Sequence, residues 1–266
     1  MSVESALPEG VYVVGLGTRA VAQITLESHQ IIAGLDCAVF LDGRGEVQAY
    51  LAELGVEACD VSSIYAEEDA RIEVYRAIAD VVVEQARRFG RVGYLAPGNP
   101  NFLNVVVEIL EARCAEEGIP FHLLPGVSSL DTVITDLRLP VGDVGMQCFD
   151  TTTFARLDPQ IDPRIPLLLF EPGVYGESRI RYRRTPRRET VRKLRDLLLE
   201  RYAPSQRWIL VSSSPSTSTA THLVWGTLDR LDEFSDALGM GTLVIPGAWW
   251  PEGLADAAPE PDAAAA

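Results

Sequence analysis

"VYVVGLG", residues 11–17, decides the fold. Val, Tyr, Val, Val is a β-rich apolar run, and the glycines that follow stop it, so the segment reads as a buried strand ending in a tight turn. A helical stretch follows over about 25–33, then a second apolar strand, "DCAVFLD" at 36–42. From Glu67 to Phe89 apolar and charged residues alternate at helical spacing up to Gly90, which predicts a long helix with a glycine stop. "RVGYLAPGNP" (91–100) is a strand running into a Pro/Gly loop, "NVVVEILEARCAEEG" (104–118) a helix, and "PFHLLPG" (120–126) another strand. Strands alternating with helices over some 125 residues predict a parallel sheet covered by helices. Ligands of such sheets bind at the loops beyond the strand C-termini, where the glycine loops 15–17, 97–100 and 125–129 fall.

The second half reads differently. "PLLLFEPG" (166–173), "RWILVSSS" (207–214), "THLVWGTL" (221–228) and "MGTLVIPG" (240–247) are strands, with one clear helix at about 187–202. This pattern predicts a mixed sheet. The division is expected just after "LLPG", giving domains 10–122 and 123–250 and a disordered Ala/Pro/acid-rich tail, 251–266.

Composition excludes several functions. The net charge of −15 argues against nucleic acid as a partner, because phosphate binding needs a positive footprint. Four cysteines without a CxxC pair read as free thiols in a reducing compartment, and three scattered histidines make no metal site. No basic start precedes an apolar run, and no apolar stretch reaches membrane-spanning length, so a cytoplasmic protein is expected.

Two stretches stand out. In "IYAEEDARIEVY" (64–75), Arg71 and Tyr75 are four residues apart and share a helix face, with Tyr65 near the helix start. Two phenols and a guanidinium make either a buried hydrogen-bond knot or proton-transfer machinery. In "RIRYRRTPRRETVRKLR" (179–195), nine of 17 residues are basic, out of 23 in the chain. Such a run is commonly a solvated face; its sharper reading is a dock for an acidic partner. "GLG" lacks the third glycine of a dinucleotide fingerprint and by itself is a turn, and Ser128 or Ser129 is placed to cap a helix or hold a ligand group. "GAWW" (247–250) is suited to cover an apolar edge or a subunit interface.

Taken together, "VVGLGTRAVAQIT" (13–25), "APGNP" (96–100), "LLPGVSS" (123–129), "LLLFEPG" (167–173) and "GTLVIPG" (241–247) resemble the tetrapyrrole methylase superfamily. Within it, Tyr-x5-Arg-x3-Tyr at Tyr65, Arg71 and Tyr75, with "AQIT" at 22–25, is similar to the borosin peptide backbone α-N-methyltransferases. The resemblance implies an α/β fold of two domains, a parallel-sheet N-terminal domain and a mixed-sheet C-terminal one, with the cofactor cleft between. It implies S-adenosylmethionine as methyl donor, S-adenosylhomocysteine as product, and Tyr65, Arg71 and Tyr75 as catalytic residues. For the cofactor it implies Pro97, Asn99, Phe102, Leu103, Ser128, Ser129, Glu171, Ser213, Gly241 and Thr242. It implies a homodimer; since the 251–266 tail holds no Val/Ile/Gly core, a separate peptide or another small amide is expected as substrate, and the arginine-rich 179–195 segment is read as a dock for an acidic leader. The chain departs from the borosin Tyr-Gly-His-Pro loop: Pro97 stands at the Tyr and Asn99 at the His, with Tyr94 and Tyr182 as possible stand-ins for the phenol. Two other readings remain open: a methyltransferase for a tetrapyrrole or other small metabolite, and a non-catalytic cofactor-binding protein.

Overall fold

The computed structural model describes residues 7–41, 45–65, 69–180, 186–214, 216, 218–239 and 241–248. The chain divides into two compact units, residues 1–129 with 178–180, and residues 130–177 with 181–266.

The first unit holds β1 (Gly10–Gly15), α1 (Leu26–Ala33), β2 (Cys37–Phe40), α2 (Glu46–Leu54), β3 (Glu57–Asp60), α3 (Arg71–Phe89), β4 (Arg91–Ala96), α4 (Val105–Glu117) and β5 (Phe121–Leu123). All five strands run parallel in the order β3-β2-β4-β1-β5, as the strand–helix alternation predicts. Strand period sorts the side chains. Val11 and Val13 of β1 join Val92, Tyr94 and Ala96 of β4 in one core layer with α3 and α4. Tyr12, Val14 and Leu16 pack on the other face with Ile32 of α1 and Val47 and Leu51 of α2. The α3 helix buries Val74, Ile78, Val82 and Val83, each contributing about 1.5–3 kcal/mol by burial. It ends where Gly90 takes φ +89°.

The sequence places the start of this helix too early. It begins at Arg71, not at 67, and Tyr65 closes a separate 3₁₀ turn over Ser62–Ile64. The pair α2 and β3 went unforeseen: β3 is a four-residue edge strand whose Glu57, Ala58 and Asp60 are exposed, so no apolar run marks it.

The second unit contains α5 (Ser129–Leu137), α6 (Val141–Val144), β6 (Gln147–Asp150), α7 (Thr151–Leu157), β7 (Leu167–Phe170), α8 (Arg188–Leu199), β8 (Arg207–Ser212), β9 (His222–Thr227) and β10 (Thr242–Ile245). Its sheet is mixed, in the order β6-β7-β10-β8-β9; β6 is parallel to β7 and the other pairs are antiparallel. Among the described residues of 166–247, α8 is the one α-helix, as the sequence predicts, and α5 opens at the expected Ser129; α6 and α7, of four and seven residues, lack the long apolar repeat that would announce them. Trp208 is fully buried against Phe234 and donates from Nε1 to the Thr227 carbonyl at 2.9 Å. Gly226 makes room for it: a Cβ there would lie 2.5 Å from the indole. The tail and the Trp249–Trp250 pair lie outside the described residues.

Candidate active site

Parallel βα units bring the ends of their strands and the starts of their helices to one edge. In the first unit, the loops after β1, β4 and β5 meet there backbone against backbone. A Cβ on Gly15 would lie 2.7 Å from both the Gly126 Cα and the Gly98 carbonyl oxygen, and a Cβ on Gly126 would lie 2.5 Å from that same oxygen. Gly17 and Gly98 exchange hydrogen bonds, Gly98 N–H to the Gly17 carbonyl at 2.9 Å and Gly17 N–H to the Gly98 carbonyl at 3.3 Å. Only residues without side chains permit this packing. Gly98 itself, at φ +74°, faces open space.

Side chains brace these loops. Gln23 folds over Gly17, and its Oε1 accepts from Arg19 N–H at 2.9 Å and from the Thr18 hydroxyl at 3.0 Å. Asn99 accepts the Asn101 N–H at 3.0 Å, which turns the chain toward Phe102. Leu103 is 44% exposed at φ +57°, a left-handed conformation that costs a branched side chain and recurs at ligand-binding loops. Pro97 is exposed, Asn99 and Phe102 half-buried, Ser128 buried, and Ser129 opens α5.

Tyr65, Arg71 and Tyr75 come together at the same edge. Arg71, the first residue of α3, donates from Nε at 3.1 Å and from Nη2 at 2.8 Å to the one Tyr75 oxygen. The Tyr65 ring lies 6.4 Å from the Tyr75 ring, tilted by 44°. All three are half-buried, so they reach both core and solvent.

No motif around residue 71 announces what fixes Arg71. Residues 178–180 cross to the start of α3: Arg71 N–H donates to the Ser178 carbonyl at 3.0 Å, and Ile180 N–H to the Asp69 carbonyl at 2.8 Å. Ile180 is 4% exposed and belongs to the α3 core.

In the second unit, Glu171, Ser213, Gly241 and Thr242 gather at one end of the sheet, where β7 and β8 finish and β10 begins. Glu171 takes φ +54° at the head of a 3₁₀ turn. Gly173 in that turn packs on the chain before β10, where its Cβ would meet the Gly239 carbonyl. The Ser213 hydroxyl donates to Asp136 Oδ2 at 2.7 Å.

The arginine-rich segment divides. Residues 181–185 lie outside the described residues, Tyr182 among them. On α8, Arg188 and Arg195 reach the buried Asp232 at 3.1 and 2.5 Å, and Arg192 approaches it at 3.6 Å. Burial pushes this carboxyl up, but the Arg188 hydrogen bond and the charge of Arg195 outweigh it and hold the group below the usual carboxylate range. Lys193 pairs with Glu189 at 3.6 Å, and Arg187 lies 3.8 Å from Glu177. Much of the positive charge of α8 is therefore answered within its own unit.

Among the described residues, no group of three or more His, Cys, Asp or Glu is gathered for a metal ion, and no helix is long and apolar enough to cross a membrane.

The model of the Tetrapyrrole (Corrin/Porphyrin) Methylases matches residues 10–232. A methyltransferase/ribosomally synthesized type III borosin cyclic peptide precursor of Anomoporia bombycina is 23% identical over 176 residues, which are 66% of this chain and 20% of that protein. A type I borosin cyclic peptide precursor of Coprinopsis marcescibilis is 22% identical over 193 residues, 72% of this chain and 49% of its own length. The chain thus spans less than half the length of either relative. Among solved structures, uroporphyrin-III C-methyltransferase from Thermus thermophilus, complexed with S-adenosyl homocysteine, superposes with a TM-score of 0.60 at 16% identity, covering 90% of this chain and 92% of that one. That likeness bears on the fold, and it agrees with a parallel sheet followed by a mixed one. With a family model spanning both units, the chain belongs to the tetrapyrrole methylase family.

Proposed function

We propose that the chain is an S-adenosylmethionine-dependent methyltransferase that methylates backbone amide nitrogens of a separate peptide. The observation that carries this is the pair of hydrogen bonds from Arg71 to the Tyr75 oxygen, with Tyr65 beside it, at the ligand edge of a parallel sheet. An amide nitrogen is a poor nucleophile because its lone pair is delocalised into the carbonyl. It must lose its proton as it reacts. Arg71 aims two N–H donors at the Tyr75 oxygen, the atom a base for this step would use. In the proposed step Tyr75 takes the amide proton and Arg71 stabilises the imidate oxygen, with Tyr65 orienting the amide. The nitrogen lone pair then forms the new N–C bond. S-adenosylmethionine supplies a sulfonium-bound methyl and leaves as S-adenosylhomocysteine, the electron pair of the broken C–S bond remaining on sulfur.

The residues fit such a donor. Gly15 and Gly126 pack on the Gly98 backbone, and Gly98, with open space before it, lets a ligand approach closely. We assign the 97–103 loop, Ser128, Ser129, Glu171, Ser213, Gly241 and Thr242 to the cofactor. The proposed partners are a second copy of the chain and the peptide, its acidic leader meeting the 179–195 segment. The runner-up is a small-metabolite methyltransferase; Pro97, standing where borosins carry Tyr, supports the third reading, a non-catalytic cofactor-binding protein.

The test is mass spectrometry of a source extract treated with the protein and methyl-deuterated S-adenosylmethionine, beside a Tyr75→Phe copy. Labelled methyls on peptide nitrogens with the parent alone are expected. Label on a small metabolite with both copies would replace this reading by the runner-up.

A further inference from the structure

One hydroxyl assigned to the cofactor has its polarity fixed from within its own unit. Ser213 follows directly on β8 and donates to Asp136 Oδ2 at 2.7 Å. An ionised carboxylate only accepts, so the single hydroxyl proton lies on that bond and the Ser213 oxygen presents lone pairs alone to any further partner. Asp136 lies in the last turn of α5 and is half-buried. Val133 and Leu137 of the same helix are each 1% exposed, so the core face of α5 holds the carboxylate in place. Asp232 in this unit is answered by arginines, whereas Asp136, among the described residues, makes no ion pair and has Ser213 as its one side-chain partner. A carboxylate without a cation leaves negative charge beside the serine, and that charge favours a positively polarised hydrogen on the group that meets it.

We propose that Asp136 is a positioning residue that holds Ser213 as a hydrogen-bond acceptor, so that Ser213 selects an N–H donor of the bound cofactor. The proposal rests on the reading of Ser213 as a cofactor residue. S-adenosylmethionine and S-adenosylhomocysteine carry two kinds of N–H, the adenine amino group and the α-ammonium. Neither has a lone pair to give, so each needs a partner whose lone pair is turned toward it. The ribose hydroxyls donate and accept alike, and a serine free to rotate would serve them as well. The ligand carboxylate offers only lone pairs and is repelled. A free serine adapts to either polarity; the Asp136 bond removes that choice before the ligand arrives, so no rotor has to be ordered on binding. An N–H set against Ser213 gains a bond, whereas a carbonyl in the same place meets lone pair against lone pair, and the difference is selectivity.

The experiment uses the full chain and calorimetry with three ligands. They are S-adenosylhomocysteine, its inosyl analogue, in which a carbonyl replaces the adenine amino group, and its deaminated analogue, in which hydrogen replaces the α-ammonium. The parent should bind at least one analogue at least about tenfold more weakly than S-adenosylhomocysteine. In Ser213→Ala the penalty for one analogue should fall below about threefold, and that analogue identifies the donor. Asp136→Asn, whose amide lets the serine proton turn away, should lower the same penalty at least about threefold and leave the penalty for the other analogue as in the parent. A merely structural role would weaken all three ligands in parallel. Penalties unchanged in both variants, or no penalty in the parent, would overturn the proposal. Loss of the penalty in Ser213→Ala alone would overturn it equally, since Ser213 would then select without Asp136. A parent that fails to bind S-adenosylhomocysteine would remove the cofactor reading itself, an outcome seen before any variant is compared.

Discussion

Arg71 grips Tyr75 through two nitrogens on a single oxygen, at 3.1 and 2.8 Å, one helical turn along α3. A fork on one acceptor fixes direction as well as charge, and a lysine ammonium at the same place would supply only a point charge. With Tyr75 as base, Tyr75→Phe should lower single-turnover methyl transfer by about 10²–10⁴-fold while calorimetry finds S-adenosylhomocysteine binding intact. Arg71→Lys should lose at least about tenfold and not recover at higher pH. Full activity of Tyr75→Phe would return the trio to a structural role.

The glycine crossing gives a second prediction. Gly126→Ala would force a Cβ to within 2.5 Å of the Gly98 carbonyl, so the β1, β4 and β5 loops must part. It should cost at least about 2 kcal/mol and weaken S-adenosylhomocysteine binding at least about tenfold. Gly55→Ala is the control. It carries the strain of φ +71°, which Gly126 does not, but meets nothing within 4 Å, and should cost about 1 kcal/mol with no effect on binding. Calorimetry and denaturant melts read both effects.

Asp232 makes stability depend on acid. Its folded-state carboxyl lies below the usual range, so its contribution is full above the unfolded value of about 3.9 and is lost as pH falls through the folded one. Asp232→Asn should therefore destabilise the chain by about 2 kcal/mol near neutrality. The difference from the parent should shrink below about pH 4, and urea melts at several pH values would detect a gap that instead persists.

The thiols should be quiet. Burial pushes Cys37 and Cys114 up to about 11, and Cys59 and Cys148 upward as well. In native protein at pH 7.5, alkylation of Cys37 and Cys114 should proceed only as fast as unfolding exposes them, and denaturant should release all four. Rapid native labelling of Cys37 would contradict its burial.

What could be read in advance follows a physical divide. Local signals sufficed where one segment carries its own pattern: the apolar runs at Val11, Val92 and Leu167, the glycine stop at Gly90, and the i, i+4 spacing that brings Arg71 to Tyr75. They failed where distant residues decide. Nothing near Arg71 announces Ser178. The arginine run looked like a charged surface because Asp232, some forty positions away, is silent until α8 folds over it.

The strap at 178–180 orders events in time. Arg71 stands in the first third of the chain, yet the carbonyl that takes its N–H and the isoleucine that seals its helix come more than a hundred residues later. On the ribosome, a nascent chain can complete the whole five-stranded sheet and still lack the carbonyl that clasps Arg71. The start of α3 is thus left unclasped until synthesis has passed β7.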